Sequence, residues 1–216
     1  MEVETFFSNP NPSFLLIGIT APAPIEDPGQ EAEIISEYLQ SGAIDFFHIR
    51  KPDADLHYTE LLINNIDREL HGRLVLHSHY KLADNYNFGG MHLKAGVDIK
   101  VDYPYLKSRS CHSLLELKTY HFGFNYLFLS PIYNSISKTG YLSNFSLQDS
   151  ELKREIAKYP VIALGGVDPA KFHELFLSKF AGAAHLGYLW SRFSTSESKI
   201  KEIKAARSNL ILYSRN

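Results

Sequence analysis

Short apolar runs, each followed by a longer amphipathic stretch, recur through the chain, and this alternation limits the fold more than any single motif. The runs lie at residues 14–20, 45–50, 74–78, 90–93, 108–112, 126–130, 161–165 and 184–187, which makes eight candidate strands. Helical patterns at 31–40, 58–70, 80–86, 114–120, 147–158, 170–177 and 198–212 fall between and after them, while 98–106 reads as a tight turn. Strand–helix alternation of this kind means parallel strands joined by right-handed crossovers. Eight such units close into a (β/α)₈ TIM barrel more naturally than they form an open sheet. An open doubly wound sheet binding a dinucleotide needs a glycine-rich loop after its first strand, and here that loop reads Thr20-Ala21-Pro22-Ala23-Pro24. Asp168-Pro169 marks a helix start and Gly42 a helix end. The expectation is one barrel domain over residues 1–216, with its core at about 14–212.

Composition narrows the function classes. The formal charge is −2, and the basic cluster at 199–207 is interleaved with Ile and Ala at helical spacing, which argues against nucleic acid as a partner. Cys111 is the only cysteine, so neither an internal disulfide nor a thiolate metal cluster can form. Residues 1–13 lack the basic-then-apolar order of a signal peptide. No stretch reaches the roughly 18 consecutive apolar residues of a membrane span. These features imply a cytoplasmic protein with no membrane partner; homo-oligomerisation is left open.

In a barrel the chemistry sits at the C-terminal strand ends. Those positions hold Thr20, His48, Arg50, His77, Ser78, His92, Ser110, His112, Ser130, Gly165, Gly166 and Gly187. His48 and Arg50 are two residues apart in a strand and so point to one face, the barrel interior, where an arginine needs either a structural carboxylate or an anionic ligand. Four strand-end imidazoles, with His79 and His112 near His77 and His92, lack any zinc-binding spacing, so barrel hydrogen bonding and metal ligation both stand. Ser130 to Gly140 is rich in hydroxyls around one lysine, which suits a diphosphate as well as a polar surface loop. The run Val161 to Pro169 carries two glycines between a strand and a helix, and Leu186-Gly187-Tyr188 follows the eighth strand. Glycines there either let a phosphate approach the backbone or simply make tight turns.

Taken in order, His48-Ile49-Arg50, Gly90-Met91-His92-Leu93, Ser110-Cys111-His112-Ser113, Ser130 to Lys138 and Ala163-Leu164-Gly165-Gly166-Val167 resemble the thiamine phosphate synthase / TenI superfamily over residues 14–190. The resemblance implies a transferase that joins hydroxymethylpyrimidine diphosphate to a thiazole phosphate with magnesium-assisted release of diphosphate. Its partners would be phosphorylated small molecules. By the same resemblance Arg50, Ser110 and Lys138 carry the catalysis. Ser135 and Ser137 join them on the diphosphate, and His48, His77, His92, Gly165, Gly166, Leu186 and Gly187 line the substrate.

The chain departs from that pattern at named positions. Synthases carry Gln-x-Arg-x-Lys where it has His48-Ile49-Arg50-Lys51-Pro52, so the lysine is displaced by one place and changes face. Ser78 and Val97 stand where synthases have their magnesium acids, with Asp98 beside Val97 as a remaining candidate. Proteins of the TenI type share His-Ile-Arg and the Arg109 to Ser113 pattern, but Pro131 occupies the place of their catalytic histidine. The alternatives to a synthase are therefore a TenI-like thiazole tautomerase and a non-catalytic barrel that binds phosphate ligands.

Overall fold

Residues 14–94, 106–120, 122–134, 143, 145–191 and 194–213 are described by the computed structural model. Within them β1 (Leu15–Ile19), β2 (Phe46–Ile49), β3 (Leu74–Leu76), β4 (Gly90–Leu93), β5 (Leu106–Cys111), β6 (Tyr126–Leu129), β7 (Val161–Ala163) and β8 (Gly182–His185) form a closed barrel in sequence order. Every pairing is parallel, and closure comes from β1 against β8 with Leu15 opposite Gly182 and Gly18 opposite His185. A Cβ at Gly182 would stand 2.1 Å from the Leu15 carbonyl oxygen, so the seam requires a residue without a side chain. The expected (β/α)₈ barrel is the fold observed.

Helices α1 (Pro28–Gln40), α2 (Leu56–Asn64), α3 (Leu114–Tyr120), α4 (Ser150–Ile156), α5 (Phe172–Leu177) and α6 (Ser196–Tyr213) follow strands β1, β2, β5, β6, β7 and β8. Their starts follow capping chemistry: Asp27, Asp55 and Asp149 accept from the amides of Gly29, Tyr58 and Glu151. The helix expected over 58–70 is two pieces, because Asn65 caps α2 through its side chain on Leu61 O at 2.8 Å and a 3₁₀ segment Arg68–Arg73 follows. Residues 80–84 also form a 3₁₀ turn, entered through His79 in the left-handed region with φ 53°. The eighth strand begins two residues earlier than its apolar run suggests, since Gly182 pairs with β1 and β7 through its backbone alone. None of the described helices is long and apolar enough to cross a membrane.

Strand side chains alternate between two cores, as period-2 geometry demands. Leu15, Ile17, Ile19, Phe46, Val75, Leu106, Tyr126, Phe128, Ile162 and Ala184 fill the barrel interior. Leu16, Phe47, Ile49, Leu74, Leu76, Leu127, Leu129 and Val161 face outward against Ile35, Leu39, Leu62, Leu152 and Leu175 of the helices.

The lower end of the barrel is tied by charge. Arg207 of α6 donates to both carboxylate oxygens of Asp45 at 2.9 Å, and Asp45 also accepts from Leu16 N at 2.8 Å. Arg73 donates through Nε and Nη1 to the carbonyls of Asp45 and Leu39, at 2.8 and 2.6 Å, and through Nη2 to Ile44 O. Burial pushes the Asp45 carboxyl pKa upward, and Arg207 opposes that shift. Replacing Arg207 with Ala leaves a largely buried carboxylate without its guanidinium, and stability should fall by about 1–3 kcal/mol. Urea unfolding of the full chain measures this, with Arg207→Lys expected to recover part of the loss.

Candidate active site

A cavity of about 850 Å³ opens at the C-terminal strand ends. Its lining includes Arg50, His77, Ser78, His92, Lys94, Ser110, His112, Ser130, Gly165, Gly166, Leu186 and Gly187. Among the sequence candidates, Arg50, His77, His92, Ser110, Gly165, Gly166, Leu186 and Gly187 are thus brought together. Ser135, Ser137, Lys138, Val97 and Asp98 lie outside the described residues.

The floor is a polar layer under the cavity. His48 is fully buried, and its Nδ1 meets His77 Nε2 at 2.8 Å while its Nε2 meets the Tyr126 hydroxyl at 2.7 Å. His92 Nδ1 meets Ser108 Oγ at 2.9 Å and its Nε2 meets Ser110 Oγ at 3.0 Å. The rings of His77 and His92 stack with centroids 4.1 Å apart. Burial holds the pKa of His48 and His77 well below 6.5 and takes that of His92 down to about 3, with neighbouring positive charge from Arg50 adding to the shift at His77 and His92. These rings are neutral at pH 7. His48 therefore supports the lining rather than touching the cavity.

Three imidazole ligand atoms here lie within 4.8 Å of one another, a separation a metal ion can bridge. Both nitrogens of His48 and of His92 are already spent on hydrogen bonds, so the arrangement satisfies itself. Magnesium prefers oxygen ligands, carboxylates above all. Among the described lining residues the only carboxylate is Glu116, whose Oε2 accepts from His112 N at 2.7 Å. The described donors do not fit a magnesium site built on protein acids.

Arg50 differs from its expected burial. It sits just past the end of β2, exposed in the mouth, where Thr20 Oγ1 accepts from Arg50 N at 2.8 Å and donates to Arg50 O at 2.9 Å. No carboxylate among the described residues forms an ion pair with it. Lys51, one position on, does change face. Its ammonium is buried against Glu31 and Ala23 O, where it pins the loop after β1. Arg109 also points out of the barrel, between the rings of Tyr120 and Phe124.

Across the cavity Gly165 and Gly166 have φ 93° and 64°. A Cβ on Gly165 would come 2.9 Å from Pro131, and one on Gly166 would come 2.3 Å from Asn134 O. Ile132 N donates to Leu164 O at 2.9 Å and Tyr133 N to Gly165 O at 3.0 Å, so the loops after β6 and β7 run side by side. Close approach between these two loops accounts for both glycines. Asp168 already occupies Ala170 N at 2.9 Å at the start of the following 3₁₀ turn.

Sequence reasoning missed Tyr126 and Ser108, the buried links of the floor. The signal was present in β5, where Leu106, Ser108 and Ser110 share the inward face: a serine two places below a strand-end serine faces the same interior.

A family model described as thiamine monophosphate synthase matches residues 16–188. Thiamine-phosphate synthase from Pelagibacter ubique is 27% identical over 180 residues, covering 78% of this chain and 84% of that protein. The crystal structure of thiamine phosphate pyrophosphorylase from Bacteroides thetaiotaomicron superimposes with TM-score 0.74 and 30% identity, covering 90% of this chain and 98% of that one. A thiamine phosphate pyrophosphorylase from Pyrococcus furiosus shares the fold with TM-score 0.72 at 16% identity, over 91% of this chain and 96% of that one.

Acid should destabilise the fold through the buried imidazoles. His48, His77, His92 and His185 all have folded-state pKa values below 6.5, His185 at about 4 from burial. Their contribution is complete above the unfolded pKa. As pH falls through 6.5 the unfolded chain binds protons that the fold refuses, costing up to about 1.4 kcal/mol per pH unit for each ring. Glu31 and Asp45, raised by burial, act in the opposite sense at lower pH. The urea midpoint should therefore drop between pH 6.5 and 5; an unchanged midpoint would mean that the folded protein protonates these rings.

Proposed function

Because the chain belongs to the thiamine monophosphate synthase family, we propose that it is a transferase that joins hydroxymethylpyrimidine diphosphate to a thiazole phosphate and releases diphosphate. The observation that carries this reading is one cavity with, on one rim, a guanidinium that no carboxylate among the described residues pairs, and two glycine-containing turns on the other. Arg50 suits the diphosphate, since a guanidinium keeps its charge and donates two parallel bonds to oxyanions. Ser110 adds a hydroxyl, and Lys94 a further cation in the wall. In this reading Ser135, Ser137 and Lys138 serve the same diphosphate, and the backbone around Gly166 and Gly187 serves the thiazole phosphate.

Departure of diphosphate leaves a carbocation-like pyrimidine, so the reaction needs charge stabilisation and positioning more than an acid–base pair. A neutral floor suits that demand. Protonated imidazoles beneath the reacting carbon would repel its developing positive charge, whereas His77 and His92 are held unprotonated. The diphosphate then keeps its charge beside Arg50 and Lys94, and the thiazole phosphate keeps its own at the glycine-containing turns across the mouth. The family resemblance implies magnesium, and Glu116 is the one carboxylate among the described lining residues.

The test is formation of thiamine phosphate from the two substrates by the purified full chain, with magnesium and after its chelation. Product is the expected result. No product from folded protein that still binds thiazole phosphate would overturn the synthase reading, and isomerisation of a thiazole phosphate instead would assign a tautomerase. Arg50→Ala should raise KM for the diphosphate substrate about tenfold or more, in line with the loss of a charge-assisted contact, while the unfolding midpoint stays put.

A further inference from the structure

The hydrogen bonds of the floor join end to end. Ser110 meets His92, His92 meets Ser108, Ser108 stands opposite Tyr126 across β5 and β6 and bonds its hydroxyl, Tyr126 meets His48, and His48 meets His77. Both terminal groups, Ser110 and His77, line the cavity, while Ser108, Tyr126 and His48 are at most 1% exposed. Each of these six groups is neutral and carries one mobile proton, on a hydroxyl or on one ring nitrogen. Five links consume five of those protons.

Only two arrangements satisfy every link. In the first, Ser110 donates to His92 and each group donates onward, so His77 presents Nδ1–H at its far end and Ser110 presents only lone pairs. In the second, every bond is reversed, so His77 presents a bare Nδ1 and Ser110 an O–H. Any mixed arrangement leaves a buried donor or acceptor unmatched, which a site closed to water does not tolerate. We propose that this floor is a reversible proton relay that makes the hydrogen-bonding characters of His77 Nδ1 and Ser110 Oγ reciprocal. Passage from the first arrangement to the second takes one proton in at Ser110, releases one from His77, and carries each internal proton across its own hydrogen bond from donor to acceptor, with no change of net charge.

Reciprocity makes the two ends a specificity device. A ligand that reaches both meets one donor and one acceptor, which suits a neutral heterocycle presenting a ring nitrogen and an amino group. A carboxylate, with acceptors alone, satisfies one end only. The inference needs the cavity but not the proposed reaction, and its test uses no substrate.

The relay forces all three imidazoles onto the same tautomer: Nδ1–H throughout in the first arrangement, Nε2–H throughout in the second. Two-bond ¹H–¹⁵N NMR of the ¹⁵N-labelled full chain at pH 7 reads this directly. The expected result is one shared tautomer, or one shared population that moves in step with temperature, for His48, His77 and His92. Opposite tautomers at any two of them would overturn the proposal. In Tyr126→Phe, His48 and His77 should still agree while His92 departs from them on warming; three populations that move in step in that variant as in the wild type would remove Tyr126 from the relay. Should the variant fail to fold, the wild-type comparison decides alone.

Discussion

Closure of the sheet is the constraint on which the site depends. Eight short strands of three to six residues can hold a cavity at one end only if β8 returns to β1, and that seam works because Gly182 lets the Leu15 carbonyl come close. Two further ties secure it. Trp190 Nε1 donates to Ile19 O at 2.7 Å at the upper end, and Arg207 grips Asp45 and, through it, the start of β1 at the lower end. With the ring shut, inward side chains of every strand converge on one axis, and residues far apart in sequence become neighbours: His48 and Tyr126 touch across 78 positions.

The interior is divided by height. Apolar side chains such as Leu15, Phe46 and Ile162 fill the lower barrel, the imidazole and hydroxyl layer lies above them, and the cavity with its cationic rim comes last. Each level serves the next. Apolar packing excludes water from His48 and keeps it uncharged, and the uncharged layer in turn leaves the field in the cavity to Arg50 and Lys94.

Much of this was legible in the sequence, for reasons that can be stated residue by residue. The eight apolar runs and their helices gave the barrel because periodicity reports which face is buried, and strand-end rules placed Arg50, His77, His92, Ser110 and Gly165 at one mouth. Burial at that mouth was misjudged for Arg50, since alternation tells direction but not depth. The glycines after β7 answer first to the neighbouring loop at Pro131 and Asn134, a contact between segments about 30 residues apart that no local pattern encodes. Tyr126 was invisible as a polar group for a similar reason: it reads as an aromatic core residue until the ring closes and aligns it with His48.

The hydrogen-bonded floor also runs across five consecutive strands, from His48 on β2, through His77 after β3 and His92 on β4, to Ser108 on β5 and Tyr126 on β6. In an apolar interior a lone polar side chain is a liability, and a matched chain of them is not. For descent with modification this makes the floor a unit of inheritance. A lineage that exchanges His48 for another residue inherits partners cut to fit an imidazole, so a change at one of these positions is felt at all the others.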